Sequence, residues 1–248
     1  MTDTLLGLIF IGLAVGLYLF GILPRKSAPT VLRTIPGMVK IRRALGLAVE
    51  EGTRMHVSLG RAGFLTSANA SGFTALAALG QVARLSSISD RPPIATSGDP
   101  VFTLLGQDVL ENATQQQGKP EAAGAANAQM AGATPMAYTV GVLSVIESEL
   151  VSSNLLLGNF GPEVVLMLDA AERSSSFVLG ASVSLPAQAV FTAAADEVLF
   201  GEEVFAVPAY LRGGDAYIAS LRAEDVLRWV LIGALVIGSV LQFLGFGL

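Results

Sequence analysis

Long uncharged apolar runs stand at both ends of the chain, and between them short apolar stretches alternate with glycine turns and helical spacings. Thr4 to Pro24 carries no charge, and neither does Trp229 to Leu248. Each run matches the roughly 20 residues that cross about 30 Å of hydrocarbon. Transmembrane helices are therefore expected over 4–24 and 226–248. Trp229 beside Arg228 stands where an interfacial aromatic belongs. Asp3 is the only early charge and no basic stretch precedes the first run, so it reads as an anchor and not as a removed signal segment.

The middle, 44–224, follows another grammar. Gly52 to Gly60 reads as a strand closed by glycine, with Met55, Val57 and Leu59 on one face and Arg54, His56 and Ser58 on the other. Helical spacing follows from Phe73 to Leu85, with Ser71 as its N-cap. Pro93 to Ser97 is a short strand; Gly98 turns it, Asp99 caps, and Pro100 opens a helix to about Glu111. Ser153 to Leu157 is a third strand, turned by Gly158-Asn-Phe-Gly161, after which Pro162 and Glu163 open a helix to Arg173. Ser176 to Leu179 is a fourth, turned by Gly180, and Pro186 begins a further helical stretch. Helices are also expected over 137–150 and 197–206. Strand, glycine turn and helix in repetition describe an α/β domain with a Rossmann-like parallel sheet and helices on both faces. Residues 112–135 are low in complexity and read as an inserted loop or marginal helix, with a functional lid as the sharper alternative.

Composition sharpens the membrane reading. Of 248 residues, 52% are hydrophobic and only 14% charged, against about 25% charged in an ordinary globular chain. Arg25, Lys26, Arg33, Lys40, Arg42 and Arg43 follow the first run with no acidic residue before Glu50. The bias of basic residues places 44–224 in the cytoplasm, both termini outside, and the 25–43 segment against anionic lipid headgroups, with a nucleic-acid arm as the alternative. The 44–224 domain holds 8 basic and 18 acidic side chains, and the whole chain carries −5, so no nucleic-acid partner is expected. Gly12 to Gly16 and Ala234 to Gly238 are small-xxx-small steps that suit helix packing, within one chain or between copies.

Four strings, RALGLAVEEGTRMHVSLG (43–60), SISDRPPIATSG (87–98), LLLGNFGPE (155–163) and IASLRAEDVLRW (218–229), resemble an uncharacterised family of bacterial membrane proteins known as a domain of unknown function. The resemblance covers nearly the whole chain, least well over 112–135. It implies an α/β domain between two terminal transmembrane helices in the inner membrane. It carries over no reaction and no catalytic residue.

Candidate chemistry is sparse. The absence of cysteine excludes disulfides, thiolate metal sites and cysteine nucleophiles, and a single histidine excludes multi-histidine metal sites. No metal or cofactor is expected. His56 is the one imidazole; it reads either as a base or as a histidine covered by a helix, and no Gly-x-Ser-x-Gly elbow supports the first. The pairs Glu50-Glu51, Asp196-Glu197 and Glu202-Glu203 read as solvated faces, because adjacent helical residues diverge. The better candidates are the turns after the strands: Gly60, Ser97, Gly98, Asp99, Gly158, Asn159, Gly161 and Ser182. At the carboxyl ends of parallel strands such turns present N–H groups to anionic or nucleotide ligands, although neither a Gly-x-Gly-x-x-Gly nor a Walker lysine is present. Two functions are expected in turn. The first is a non-enzymatic, membrane-anchored scaffold that assembles laterally as a homo-oligomer or within a larger membrane complex. The second is a membrane-tethered ligand-binding regulatory module that uses the turns.

Overall fold

The computed structural model describes residues 11, 12, 15, 16, 18, 32–86, 89, 91–116, 118, 127–211 and 214–243. In chain order the elements are α1 (Pro36–Glu51), β1 (Arg54–Ser58), α2 (Asn69–Leu85), β2 (Ile94–Ser97), α3 (Pro100–Gln116), β3 (Ala128–Met130), α4 (Pro135–Ser148) and β4 (Val151–Gly158). A 3-10 turn (Pro162–Val164) leads into α5 (Val165–Arg173), followed by β5 (Phe177–Ser182), α6 (Leu185–Ala194), β6 (Glu197–Phe200), α7 (Glu203–Tyr210) and α8 (Asp215–Phe243). The six strands form one parallel sheet in the order β3-β2-β1-β4-β5-β6. The chain divides into a compact unit Arg33–Arg212 and a second unit made of Met1–Leu32 with Gly213–Leu248.

The expected Rossmann-like α/β sheet is present, and the alternation read in β1 separates its two faces. Met55, Val57, Leu155, Leu157, Leu179, Ala181 and Leu199 pack against residues of α1, α2, α3 and α7 in an apolar core. On the other face Leu156 and Val178 pack with Tyr138 and Val142 of α4, Met167 and Leu168 of α5, and Phe191 of α6. His56, Thr96 and Asn154 lie on that same face, fully covered.

The compact unit begins within the basic segment. Ile35, Met38, Ile41, Leu45 and Ala48 are buried at helical spacing, Pro36 stands in the first turn, and Gly52, with φ +64°, ends α1. Basic side chains on α1 and just before it hold the helix to the rest of the unit. Arg33 pairs with Glu203, Lys40 pairs with Glu197, and Arg42 donates to the Tyr210 carbonyl. Arg43 is exposed, and Arg25 and Lys26 lie outside the described residues.

Three local expectations are corrected. Residues 197–206 are not one helix: Glu197–Phe200 is the edge strand β6, Gly201 turns with φ +54°, and α7 follows with Pro208 inside it. Gly180 is no turn but the middle of β5; a Cβ there would collide with the Phe191 ring, so glycine is the flat seat on which α6 rests. Ser71 does not cap α2, which starts at Asn69; its hydroxyl donates to the Ala68 carbonyl. The stretch 112–135 also holds the end of α3 and the short edge strand β3.

Among the described residues no helix is long and apolar enough to cross a membrane. The first run, 4–24, lies mostly outside them. The described part of the second run, residues 229–243, occupies the end of α8. Its apolar side chains stand free: Trp229 is 72% exposed, Leu235 70% and Phe243 91%. Gly12 and Gly16 are helical and exposed and Ala234 is exposed, and a Cβ at Gly12, Gly16 or Gly238 would meet nothing within 4 Å.

Candidate functional site

The strand order reverses between β1 and β4, so the chain leaves these neighbours toward opposite sides, the switch point at whose carboxyl ends open α/β sheets place their ligands. The loops there lie in direct backbone contact. Gly60 has φ +69°, and a Cβ on it would lie 2.8 Å from the Asn159 nitrogen; Gly158 has φ +133°, and its Cβ would lie 2.7 Å from the Leu59 carbonyl oxygen. Only glycine permits both the backbone angles and the approach. The Arg61 N–H donates to the Asn159 carbonyl and the Gly98 N–H to the Gly60 carbonyl, each at 3.0 Å. The loops after β1, β2 and β4 are thereby stitched together.

Arg61 straps this edge. Its stem crosses Gly98, where a Cβ would lie 2.9 Å from Arg61 Cγ, and its Nη2 reaches Glu163 Oε1 at 3.2 Å. The same carboxylate oxygen accepts the Gly161 N–H at 3.2 Å. Glu163 folds back so closely that a Cβ on Gly161 would collide with it. The Arg61 and Glu163 side chains are only 22% and 14% exposed, and Arg61 Nε is buried without a hydrogen-bond partner.

The other expected ligand residues serve the fold. Asp99 Oδ1 accepts the N–H groups of Val101 and Phe102 at 2.9 and 3.2 Å and so caps α3, while Oδ2 accepts the Phe64 N–H at 3.4 Å. The Ser97 hydroxyl accepts the Asp99 N–H at 3.1 Å. Ser182 is buried at the end of β5, where its hydroxyl accepts the Ser184 N–H. The edge therefore brings together Gly60, Gly98, Gly158, Asn159 and Gly161, and leaves Ser97, Asp99 and Ser182 in local turns.

His56 sits beneath this edge in a buried polar ladder that crosses three strands. The Asn154 Nδ2 donates to the Ser176 hydroxyl at 2.8 Å, which turns Asn154 Oδ1 toward His56 Nδ1 at 2.9 Å. Nδ1 must then carry the proton, and Nε2 accepts from the Thr96 hydroxyl at 2.8 Å. Tyr138 continues the ladder with its hydroxyl 2.5 Å from Ser58 Oγ and 3.4 Å from Thr96 Oγ1. Burial lowers the His56 pKa to about 4, with the Asn154 hydrogen bond opposing, and raises that of Tyr138. Neutral imidazole satisfies every partner. His56 is the covered histidine of the two readings, 0% exposed. The Ser58 hydroxyl bonds Tyr138, not the imidazole.

Arg61 and the ladder partners Thr96, Tyr138 and Asn154 were not among the expected site residues. The signal for Arg61 was its place directly after the strand-closing glycine. That for Asn154 was a polar residue directly before the Leu155-Leu156-Leu157 run of β4. Among the described residues no group of three or more histidine, cysteine or acidic side chains is placed to hold a metal ion.

A parallel sheet with its switch point between β1 and β4 and glycine loops gathered over it defines a Rossmann-like α/β protein. Residues 1–247 match the family described as "Domain of unknown function (DUF6754)", and the chain belongs to that family. Comparison with curated proteins and with solved structures gives no match.

Proposed function

We propose that the chain is a membrane-tethered binding module whose α/β unit takes an anionic ligand, of the nucleotide or phosphate class, over the carboxyl ends of β1 and β4. The observation that carries this reading is the reversal of strand order there, with Gly60, Gly98, Gly158, Asn159 and Gly161 drawn to one place. Open α/β sheets hold ligands at such points. The tether is read from the uncharged runs 4–24 and 229–248, and the basic residues between 25 and 43 favour the cytoplasmic side. Calorimetric titration of ADP into the full chain in lipid nanodiscs tests the ligand. Saturable binding that Gly161→Val removes, with the circular dichroism spectrum unchanged, supports the reading; no heat beyond dilution removes it.

The second reading is a laterally assembling scaffold in the membrane. The exposed apolar side chains of α8, from Trp229 to Phe243, favour it, because such a surface calls for lipid or for neighbouring helices. The mass of the particle in mild detergent decides. A discrete multiple of 25.6 kDa copies supports assembly, and a lone chain rules it out.

A further inference from the structure

The carboxylate of Glu163 occupies the place where a ligand anion would sit. It faces a guanidinium, accepts the backbone N–H of Gly161, and lies beside the β1–β4 switch point. We propose that Glu163 is a resident anion that a ligand phosphate displaces from Arg61, so that the Arg61–Glu163 pair acts as the latch of the binding site. The inference rests on the reading of the unit as an anion-binding module and names the subsite and the ligand group.

The donor set explains why phosphate outcompetes the resident carboxylate. Arg61 presents several donors in a planar fork, yet Glu163 takes only Nη2, and Nε stays buried without an acceptor. A buried donor left unmade is costly. A tetrahedral phosphate brings three or more oxygens to the same spot and satisfies Nη2, Nε and the Gly161 N–H together. The glycine at 161 matters for the same reason: a Cβ there would fill the space that the Glu163 carboxylate holds and the phosphate needs. The displaced Glu163 swings outward from the 3-10 turn that carries it. The Arg61 stem stays against Gly98, so the loops remain stitched by their backbone hydrogen bonds.

The latch is tested by titrating ADP, inorganic phosphate and adenosine into the full chain in nanodiscs, for the natural protein and for Glu163→Gln, Glu163→Ala and Arg61→Gln. Circular dichroism monitors the fold of each variant. The expected result is ADP binding tightened about tenfold in both Glu163 variants, lost in Arg61→Gln, competed by phosphate and not shared by adenosine, the scale set by one charge-assisted contact. If the natural protein binds ADP and neither Glu163 variant binds it more tightly, the latch is overturned while the binding reading stands. If adenosine binds as well as ADP and Arg61→Gln changes nothing, the phosphate subsite is overturned. If no form binds ADP or phosphate, the binding reading falls and the latch falls with it.

Discussion

The two faces of the sheet solve the same burial problem with different chemistry. Toward α1, α2, α3 and α7 the sheet's leucine, valine, alanine and methionine side chains join one continuous apolar cluster. Toward α4, α5 and α6 a ladder of Thr96, His56, Asn154 and Ser176 runs across the strands inside an otherwise apolar layer. The first face tolerates small shifts, since burial is nondirectional. The second specifies register, because every rung needs its partner at hydrogen-bond distance and a buried polar group without one is expensive. His56 stands opposite Asn154 only in the observed pairing of β1 with β4. A slip by one residue would turn Leu155 toward the imidazole and leave both polar groups bare.

The largest expected effect breaks the apolar face. Leu155 is fully buried there, and Leu155→Ala is expected to cost about 2–5 kcal/mol through lost transfer energy and a cavity. Denaturant titration followed by the signal of the Arg33–Arg212 unit measures it. That loss is the same at pH 7 and pH 5, because nothing on that face titrates in this range; a loss that changes with pH would show the two faces to be coupled.

Acid separates them. Folded His56 resists protonation down to about pH 4, whereas in the unfolded chain it takes a proton near 6.5. Between these values the unfolded state binds more protons, so stability falls as pH falls from about 6.5, and the loss from this residue is complete below about pH 4. The span corresponds to roughly 3 kcal/mol. The measurement compares the pH slope of unfolding free energy in the natural protein with that in His56→Gln. Equal slopes would mean that His56 is not the neutral rung of the ladder.

What could be read from residues alone follows from the same contrast. The alternation of Met55, His56, Val57 and Ser58 is local, so the two faces of β1 and the α/β class were legible. The contact of His56 with Asn154 was not, because it depends on which strands are neighbours and in what register. Gly180 misled because a glycine seating the Phe191 ring leaves the same letter as a turn glycine. The edge strands β3 and β6 are 3 and 4 residues long, too short for a period to declare itself. The glycine turns pointed to the carboxyl edge. Arg61 and Glu163, 102 positions apart, met only through the fold.

A milder cut at the polar face removes one hydroxyl. Tyr138→Phe keeps the ring among Val142 and Phe160 and deletes the contacts with Ser58 and Thr96. We expect a cost of about 1–2 kcal/mol, the penalty of leaving buried hydroxyls short of a partner. Tyr138→Ala would cost more through its cavity and would not isolate the hydrogen bond. A cost near zero for the Phe variant would mean that the ladder ends at Thr96.

The smallest effect lies on the outer surface of the helices that cover this same face. Arg173 of α5 meets Glu147 of α4 at 3.1 Å and Asp169 at 2.9 Å, all three side chains more than half exposed. Ion pairs in water gain little, because the solvent screens them and two long side chains must be held still. Arg173→Ala is therefore expected to change stability by no more than about 0.5 kcal/mol in a denaturant titration, and less in high salt. The pair bridges α4 and α5, the helices that bring Tyr138 and the Ala171 carbonyl to the ladder. A loss comparable to that of Tyr138→Phe would therefore mean that the ladder depends on how these helices are clamped outside. Near-neutrality would place the specificity of this face inside, in the hydrogen bonds that water does not reach.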